Sequence, residues 1–511
     1  MKWTLSMILL LILGIAGCDS GGEMRQGSPG EGSAPDRGTG GVSDIGGDLG
    51  AGFGPDSDMR SAPGPLVLGE EDAGSLSYPL RLVDADGEVR EVTAPEELEE
   101  LLRGGGEAHD EATQPVEYVR LFYATDRRRE PPGLRTILGP LIPAGIALLA
   151  AFVLSRLLKR WLKTEARRVG CFLSGLAFLA AGGLCVRGTL LSLETLRLSK
   201  ETDVLYGSRR SRSGGLELGT VVVSIPVQNH EIARIEMPSL LRGELYPDPL
   251  RHFVIDDVHP MDRALFFEDL REAVASSPKK EAYLFVHGYN NTFAYAAMRL
   301  AQIVYDVGFE GAPILYSWPS KGAAALYTYD KENADWSAGN LAGFLADLAD
   351  ESGAEHIHLL AHSMGSRVLS TAFLQAIEPV TEGEESIFTE LILAAPDIDA
   401  DTFKRFIAPQ LMRRSRRVTL YASERDEALL ASVQVNGQSR AGMAGVDMVI
   451  VDGMDTVDVT AVAGGHAYIS ENGRVLGDLV DVVKNRLSAP DRATLVPRER
   501  GGERYWELVE R

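Results

Sequence analysis

From residue 281 onward, short apolar runs alternate with longer amphipathic stretches, and this alternation restricts the fold more than any other feature of the chain. The predicted strands are AYLFVHG (282–288), PILYSW (313–318), HIHLLA (356–361), LILAAP (391–396), RVTLYAS (417–423) and VDMVIVD (446–452). The predicted helices lie near 292–307, near 332–350, from 364 onward and near 475–487. Such alternation indicates an α/β domain with a mostly parallel sheet flanked by helices. Active sites of such sheets lie at the carboxyl ends of the strands.

The third apolar run ends in an abrupt turn, AHSMG (361–365), and an amphipathic stretch begins at once. In the strand–turn–helix known as a nucleophile elbow, a serine occupies this corner and its hydroxyl stands clear of the sheet. Ala361 and Gly365 are small enough to let strand and helix pass close together. We therefore interpret Ser363 as a nucleophile. The alternative is a serine that only caps the helix.

A serine nucleophile needs a base, and a histidine on a downstream loop is the expected partner. His466, in the sequence GGHAYI, is the only histidine after Ser363. Gly464 and Gly465 make its loop compact. The sequence therefore predicts His466 as the base, and the alternative is an ordinary surface histidine.

An acid must hold the imidazole of the base in the correct tautomer. Asp426 follows the predicted strand RVTLYAS, and the order Ser, Asp, His is typical of this arrangement. Asp397, which follows LILAAP, is the alternative acid. Asp399 and Asp452 are weaker alternatives.

The oxyanion of an acyl-transfer reaction needs two N–H donors. The residue after the nucleophile, Met364, is expected to supply one of them. The sequence VHGYNN (286–291) resembles the HG motif of lipases and esterases, and that resemblance implies the N–H of Tyr289 as the second donor. Gly288 would let the backbone approach the substrate.

The N-terminal sequence MKWTLSMILLLILGIAGC has the layout of a secretory signal, because one lysine precedes a short apolar run and small residues. Its end resembles a bacterial lipobox, which implies lipidation of Cys18. Asp19 then implies retention at the inner membrane, as in enterobacterial lipoproteins. A plain signal peptide or an uncleaved anchor is the alternative. Residues 19–75 are rich in Gly, Ser, Pro and Asp, which predicts a disordered linker.

Two runs without charges, 136–155 and 169–186, are separated by a loop with six basic residues and one acidic residue. About twenty apolar residues span a bilayer, so the runs predict a transmembrane helical hairpin. A short basic loop stays in the cytoplasm, which places the C-terminal half in the periplasm or outside the cell. Buried helices of a soluble domain are the alternative.

The formal net charge of −22 argues against nucleic acid as a partner, since phosphates would be repelled. Three cysteines are too few for a disulfide framework. The sequence shows neither metal-ligand spacing nor a phosphate-binding Gly-rich loop, so no cofactor and no metal are expected. Protein partners are not predicted.

Several segments together are similar to one family, the bacterial alpha/beta hydrolases of unknown function. They are VHGYNNTFAYAAMRLAQIVYDVGF, YSWPSKG, YDKENADWS, LLAHSMGSRVL, LAAPDID and YASERDEAL. LFYATDRRRE (121–130) and YGSRRSRSGGLELGTVVVSIP (206–226) resemble two parts of that family's N-terminal motif, with the predicted hairpin inserted between them. The resemblance implies an alpha/beta-hydrolase fold and a Ser–His–Asp triad, and it implies no substrate.

These observations divide the chain into a signal, a linker, a hairpin and a hydrolase domain. The predicted segments are a signal peptide (1–18), a linker (19–75), a small N-terminal segment (76–135), transmembrane helix 1 (136–155), a basic cytoplasmic loop (156–168), transmembrane helix 2 (169–187), the hydrolase domain (205–490) and a C-terminal tail (491–511). We expect a serine hydrolase that is anchored in a bacterial membrane, the inner membrane, and acts on a small-molecule or lipid acyl substrate. The alternative is a non-catalytic binding or scaffold module of the cell envelope.

Overall fold

The computed structural model of the protein describes part of the chain. The described residues are 80–83, 89–92, 116–130, 141–161, 173–183, 185, 189 and 204–509 without 240, 241, 245, 322–326, 382 and 384. All of them belong to one compact unit, 62–511. The predicted signal peptide with Cys18, and the predicted linker, lie outside the described residues.

The described residues include fifteen β-strands. In chain order they are β1 (Leu80–Val83), β2 (Val89–Val92), β3 (Val116–Thr125), β4 (Arg127–Glu130), β5 (Leu205–Arg210), β6 (Glu217–Pro226), β7 (Val254–Met261), β8 (Glu281–Val286), β9 (Ala312–Ser317), β10 (His356–His362), β11 (Phe388–Ala394), β12 (Arg417–Ala422), β13 (Asp455–Asp458), β14 (Leu495–Arg500) and β15 (Glu503–Leu508). Eleven of them form one sheet in the order β14-β15-β13-β12-β11-β10-β8-β9-β3-β6-β7.

The seven neighbours from β13 to β3 pair in parallel, and β15 continues this direction next to β13. The two outer strands β6 and β7 pair antiparallel on one side, and β14 pairs antiparallel with β15 on the other. The predicted mostly parallel sheet is therefore confirmed. Its carboxyl ends bring the loops after β8, β10, β11, β12 and β13 to one edge.

The helices with described bounds are α1 (Leu141–Trp161), α2 (Arg263–Ser276), α3 (Phe293–Val307), α4 (Tyr327–Glu351), α5 (Met364–Ala376), α6 (Ala400–Thr402), α7 (Ala408–Met412), α8 (Glu427–Asn436), α9 (Tyr468–Glu471) and α10 (Gly473–Val483). A π-helical turn (Phe403–Ile407) joins α6 to α7, and two 3₁₀ turns lie at Gly445–Asp447 and Ala489–Asp491.

Helices cover both faces of the sheet, as the alternation of side chains along β8 shows. Tyr283 and Phe285 of β8 pack in a cluster with residues of α3 and α10. Ala282, Leu284 and Val286 pack in a second cluster with residues of α2, α4 and α5. Successive strand residues point to opposite faces, so both sets of positions in this fully buried strand must be apolar.

One predicted strand is wrong. Residues 446–452 form a 3₁₀ turn and irregular structure, and the strand that pairs with β12 is β13 (Asp455–Asp458). Met448, Val449 and Ile450 are nevertheless buried. The apolar pattern marked a buried segment correctly, but burial alone does not select a strand.

The sheet also reaches beyond the predicted hydrolase domain, 205–490. β3 comes from the predicted small N-terminal segment and pairs with β9 on one side and β6 on the other. β14 and β15 come from the predicted C-terminal tail. Strand pairing between residues this far apart cannot be read from a local pattern.

The segments 121–130 and 206–226, which resemble two parts of the family's N-terminal motif, lie side by side. β4 pairs antiparallel with β5, and Glu130 is the register partner of Leu205. β3 pairs antiparallel with β6 along ten residue pairs. The long segment between Glu130 and Leu205 therefore begins and ends at neighbouring positions of the domain.

The first predicted transmembrane helix, 136–155, differs from the observed helix. α1 begins at Leu141 and continues to Trp161, beyond the uncharged run and past Arg156. The second predicted transmembrane helix, 169–187, is helical over 173–183. Within the ranges described above, no helix is both long and apolar enough to cross a bilayer, so the predicted transmembrane helices are not confirmed.

Candidate active site

The turn from β10 to α5 places Ser363 at a sharp corner at the carboxyl edge of the sheet. Ser363 has a φ of 54° and a ψ of −126°, a conformation that costs a residue with a β-carbon about 1–3 kcal/mol. Its N–H donates to Ala394 O at 2.9 Å, and its carbonyl oxygen accepts from the N–H of Asp397 at 3.3 Å. The end of β11 and the loop after it therefore hold the strained backbone in place.

Small residues surround this corner because the backbones pass very close together. A β-carbon on Gly365 would lie 2.5 Å from the carbonyl oxygen of Val286. A β-carbon on Gly288 would lie 3.0 Å from the β-carbon of Ser363. Ala361 is fully buried. The pattern small-x-Ser-x-small thus follows from the approach of α5 to the end of β8.

His466 lies beside the corner and contacts Asp426. Its Nδ1 is 2.7 Å from Oδ2 and 2.8 Å from Oδ1 of Asp426. The carboxylate is fully buried, and it also caps α8 by accepting from the N–H of Leu429 at 2.9 Å. Because a carboxylate only accepts, Nδ1 carries the proton in this arrangement and Nε2 is left with a lone pair.

Nε2 of His466 has no hydrogen-bond partner among the described residues, although it is buried. It therefore does not bond the hydroxyl of Ser363 in this structure. The imidazole is nonetheless close to the corner, since the ring of His362, the residue before Ser363, lies 4.7 Å from the ring of His466. His362 Nε2 also donates to the backbone carbonyl of His466 at 3.0 Å.

The alternative acid, Asp397, has other partners. Its Oδ1 accepts from Nε of Arg440 at 2.7 Å and from the hydroxyl of Ser432 at 2.6 Å. Its Oδ2 accepts from the hydroxyl of Tyr327 at 2.7 Å. The carboxylate is 3% exposed, so these three bonds neutralise and satisfy a buried charge.

The two weaker alternatives also lie elsewhere. Asp399 caps α6, because its Oδ1 accepts from the N–H of Thr402 at 2.8 Å. Asp452 is exposed on the loop before β13. Of the four candidate acids, Asp426 is the one that the structure brings to His466.

The two predicted oxyanion donors flank the serine. Met364 is the first residue of α5, where an N–H has no acceptor within the helix, and the positive end of the helix dipole favours an anion. Tyr289 follows Gly288 directly, and Gly288 approaches the β-carbon of Ser363 as described above. In the described part of the chain, neither N–H donates a hydrogen bond to another backbone group across loops.

Asn291 holds the loop that carries Tyr289. Its side-chain Nδ2 donates to Gly288 O and to Tyr289 O, both at 3.0 Å. Asn290 has a φ of 63°, a left-handed conformation that asparagine tolerates better than most residues. Of the two asparagines, Asn291 therefore orders the loop and Asn290 forms the turn.

Two histidines next to the site, the half-buried His362 and the buried His287, are neutral. Burial, and the neighbouring His466, lower the pKa of His362 to about 3. Burial, and the positive charge of Arg127, hold the pKa of His287 well below its usual range. The indole N–H of Trp318 donates to the carbonyl oxygen of His287 at 2.7 Å, and the two rings stack.

Arg127 is the functional candidate that the sequence reasoning missed. It is 1% exposed and lies behind the loop that carries Tyr289. The segment LFYATDRRRE is notable for the family resemblance, but a basic run of three arginines usually indicates a solvated surface. The sequence signal that could have identified Arg127 is its position directly after an apolar strand.

In the part of the chain that the structure describes, no three His, Cys, Asp or Glu side chains lie close enough together to bind a metal ion. The described residues offer instead a serine at a strained corner, a histidine whose Nε2 has a lone pair, and an acid that orients the histidine.

Comparison with known proteins gives a family and several similar structures. Residues 263–484 match the family model described as alpha/beta hydrolase of unknown function (DUF900). The chain is similar to an uncharacterized protein from Bacillus cereus ATCC 10987, at 12% identity and a TM-score of 0.28, over 42% of this chain and 62% of that chain, which is less than two thirds of its length. No curated protein matches the chain.

Two further solved structures are similar at comparable levels. The product of the gene lin2722 from Listeria innocua has 11% identity and a TM-score of 0.26, over 40% of this chain and 94% of that chain. Carboxylesterase CesB from Bacillus subtilis has 12% identity and a TM-score of 0.24, over 44% of this chain and 99% of that chain.

Proposed function

We propose that this protein is a serine hydrolase acting on an ester or a related acyl bond, on the premise that residues 263–484 match the family model of an alpha/beta hydrolase. Ser363 attacks the acyl carbon, His466 takes the proton of the hydroxyl, and Asp426 orients His466. The N–H groups of Met364 and Tyr289 stabilise the oxyanion, each contributing on the order of 3 kcal/mol to transition-state stabilisation.

The reaction then proceeds in two halves, and its atoms balance without a cofactor. His466 gives its proton to the departing alcohol, and the acyl group remains on the oxygen of Ser363. A water molecule then attacks the acyl carbon, with His466 as the base. The products are a carboxylic acid, an alcohol and the free serine.

The contact between His466 and Asp426 carries this proposal. The carboxylate lies 2.7 Å from Nδ1 of the imidazole, and residues 40 positions apart in the chain supply the two groups. A buried carboxylate that fixes the tautomer of a partly exposed histidine is an arrangement that serves proton transfer. Among the described residues Nε2 of His466 has no hydrogen-bond partner, and catalytic hydrogen bonds are often long before substrate binds.

Labelling with a fluorophosphonate probe tests the proposal. The full-length wild-type protein is expected to react at Ser363, and Ser363→Ala is expected not to react. The reaction should require His466, so His466→Ala should label far more slowly. Ser432→Ala is a matched control, because Ser432 is a buried serine whose hydroxyl donates to Asp397.

A folded wild-type protein that does not label would instead support a non-catalytic binding or scaffold module. The absence of a hydrogen bond at Nε2 of His466 among the described residues is also consistent with that alternative.

The substrate class needs its own measurement. A series of p-nitrophenyl esters of increasing chain length, with thioester and amide analogues, would rank the acyl preference by kcat/KM. We propose a small-molecule or lipid acyl substrate. The support for a lipid is the proposed location alone.

We propose that the enzyme is located at the inner membrane of a bacterium, with the hydrolase domain facing the periplasm or the cell exterior. The support is the signal-like sequence 1–18, the uncharged runs 136–155 and 169–186, and the exposure of apolar side chains such as Ile146 and Leu149 on α1. Against a membrane span stands the observation that no helix among the described residues is both long and apolar enough to cross a bilayer. Fractionation of cells that express the full-length protein decides between them, because a membrane protein remains in the pellet after a wash with alkaline carbonate.

A further inference from the structure

Arg127 is buried behind the candidate oxyanion loop as the first residue of β4, two positions after the end of β3. Its side chain makes no ion pair in the described part of the chain, although Asp126 and Asp330 lie near enough to oppose the effect of burial on its pKa. The equally enclosed Arg492, by contrast, pairs with Asp478 at 2.8 Å. Burial lowers the pKa of Arg127 to about 10, so the guanidinium is still charged at neutral pH. A buried charge without an ion pair is costly, and its retention calls for a reason.

All five N–H groups of Arg127 have an acceptor. Nε donates to Ser317 Oγ at 2.8 Å, Nη1 donates to Gly207 O and to Ser320 O, each at 3.3 Å, and Nη2 donates to His287 Nε2 at 3.2 Å and to Asn291 O at 2.9 Å. A guanidinium has five donors in a planar fork, so no other side chain can make this set of bonds.

The two bonds of Nη2 hold the loop at both ends. His287 precedes the Gly288–Tyr289 pair, and Asn291 follows it. Asn291 in turn binds the carbonyl oxygens of Gly288 and Tyr289, as described above. The orientation of the peptide that carries the Tyr289 N–H is therefore fixed through a chain of bonds that begins at the guanidinium.

Arg127 also sets the tautomer of His287. An arginine can only donate, so Nε2 of His287 accepts its hydrogen bond and Nδ1 carries the proton. Nδ1 lies 2.7 Å from the carbonyl oxygen of Gly288 and donates to it. That carbonyl oxygen receives a second bond from Asn291. The carbonyl of Gly288 is therefore held pointing away from the neighbouring N–H of Tyr289, since the two belong to the same trans peptide group.

We infer that Arg127 is a positioning residue of the hydrolytic reaction, because it fixes the Gly288–Tyr289 peptide so that its N–H faces the oxyanion. This inference rests on the function proposed above. It concerns the second oxyanion donor and leaves the roles of Ser363, His466 and Asp426 unchanged. Arg127 does not touch the substrate.

The test compares Arg127→Lys with the wild type in the full-length protein, purified in a mild detergent. Fluorophosphonate labelling first counts the functional serines in each sample. Hydrolysis of p-nitrophenyl butyrate then gives kcat for each labelled site and KM. A trifluoromethyl ketone adds the third measurement, because the attack of Ser363 on its carbonyl produces an anionic adduct whose oxygen needs both oxyanion donors.

We expect kcat for each labelled site to fall about 10- to 100-fold, since a misplacement of about 1 Å costs rate of this order. KM should change little, and the inhibition constant of the ketone should weaken by the same factor as kcat/KM. Arg129→Lys is the matched control, because Arg129 is exposed on the same strand. Its kinetics should equal those of the wild type.

A purely structural role predicts a different result and would overturn the inference. In that case fewer sites label, but kcat for each labelled site and the affinity for the ketone stay at the wild-type values. Ser317→Ala is the second variant in case Arg127→Lys does not fold, because it removes one acceptor of the guanidinium and keeps the arginine. It should lower kcat for each labelled site several-fold, and an unchanged value would also overturn the inference. A wild-type protein that neither labels nor hydrolyses esters refutes the proposed function itself, and the two failures are thus distinct.

Discussion

A β-carbon on Gly365 would overlap the carbonyl oxygen of His287. The first turn of α5 thus passes against the backbone that leads into the candidate oxyanion loop. The corner at Ser363 and the loop at Tyr289 are therefore packed directly against each other. A change in the distance between α5 and the end of β8 must affect both.

Gly365→Ala should disrupt this unit. We expect a loss of stability of about 3 kcal/mol, the upper end of the usual cost of overpacking, and a fluorophosphonate labelling rate lower by roughly 100-fold. Gly477→Ala is the matched control, because Gly477 lies in α10 with open space around it. That change should raise stability by about 0.5–1 kcal/mol, as alanine does in exposed helix positions. Thermal denaturation and labelling kinetics measure both, and equal behaviour of the two variants would contradict the packing argument.

Asp426→Asn should lower kcat with little loss of stability, whereas Asp397→Asn should lower stability with little loss of kcat. The asparagine introduced by Asp426→Asn can still cap α8, so we expect a folded protein whose kcat is lower by up to about 10⁴-fold because the tautomer of His466 is no longer fixed. Asp397→Asn should instead cost about 3–5 kcal/mol of stability, since Arg440 loses its buried partner, and kcat for each labelled site should remain close to that of the wild type. Steady-state kinetics with active-site counting separates the two effects. The opposite assignment of effects would identify Asp397 as the acid.

The chain beginning at residue 205 should not fold. It lacks β3, an interior strand that pairs with β9 and β6, and it lacks Arg127. A chain that joins residues 116–130 to residues 205–511 through a short Gly/Ser linker should fold, because Glu130 and Leu205 are register partners. Circular dichroism and labelling of Ser363 check both chains, and a folded, labelled 205–511 protein would show that β3 is dispensable.

His230 should make stability depend on pH. Burial alone would lower its pKa, but hydrogen bonds with Asp306 at 2.8 Å and Glu236 at 3.0 Å raise the pKa to about 9. A pKa above that of the unfolded chain stabilises the fold fully below about pH 6.5, and the stabilisation is lost as the pH rises through about 9. The melting temperature of the wild type should therefore exceed that of His230→Gln most at about pH 6.5, and this difference should become smaller as the pH is raised to about 9.5. A difference that is constant over this range would mean that His230 does not carry the charge.

The central strands and helices could be predicted from the sequence because each is a local pattern. The observed β8, β9 and β10 lie within one or two residues of their predicted bounds, since each is a continuous apolar run that ends at a turn. The corner at Ser363 was visible for the same reason. The elements that the sequence did not place, β3 and the hairpin of β14 and β15, depend on pairing with distant segments.

The candidate site was only partly visible in the sequence. A single downstream histidine made His466 an easy choice, whereas the choice between Asp426 and Asp397 required knowledge of where each carboxylate points. The buried network of Asp397 with Arg440 has no local signature. Arg127 was hidden in a run of charges, and nothing in RRR shows that one of the three arginines turns inward.

The neighbouring positions of Glu130 and Leu205 have a consequence for how such a protein can evolve. A connection that starts and ends at adjacent points can be lengthened, shortened or exchanged without a change in the distances among the groups of the candidate site. Natural selection can therefore change the length and composition of the intervening residues independently of the β-sheet.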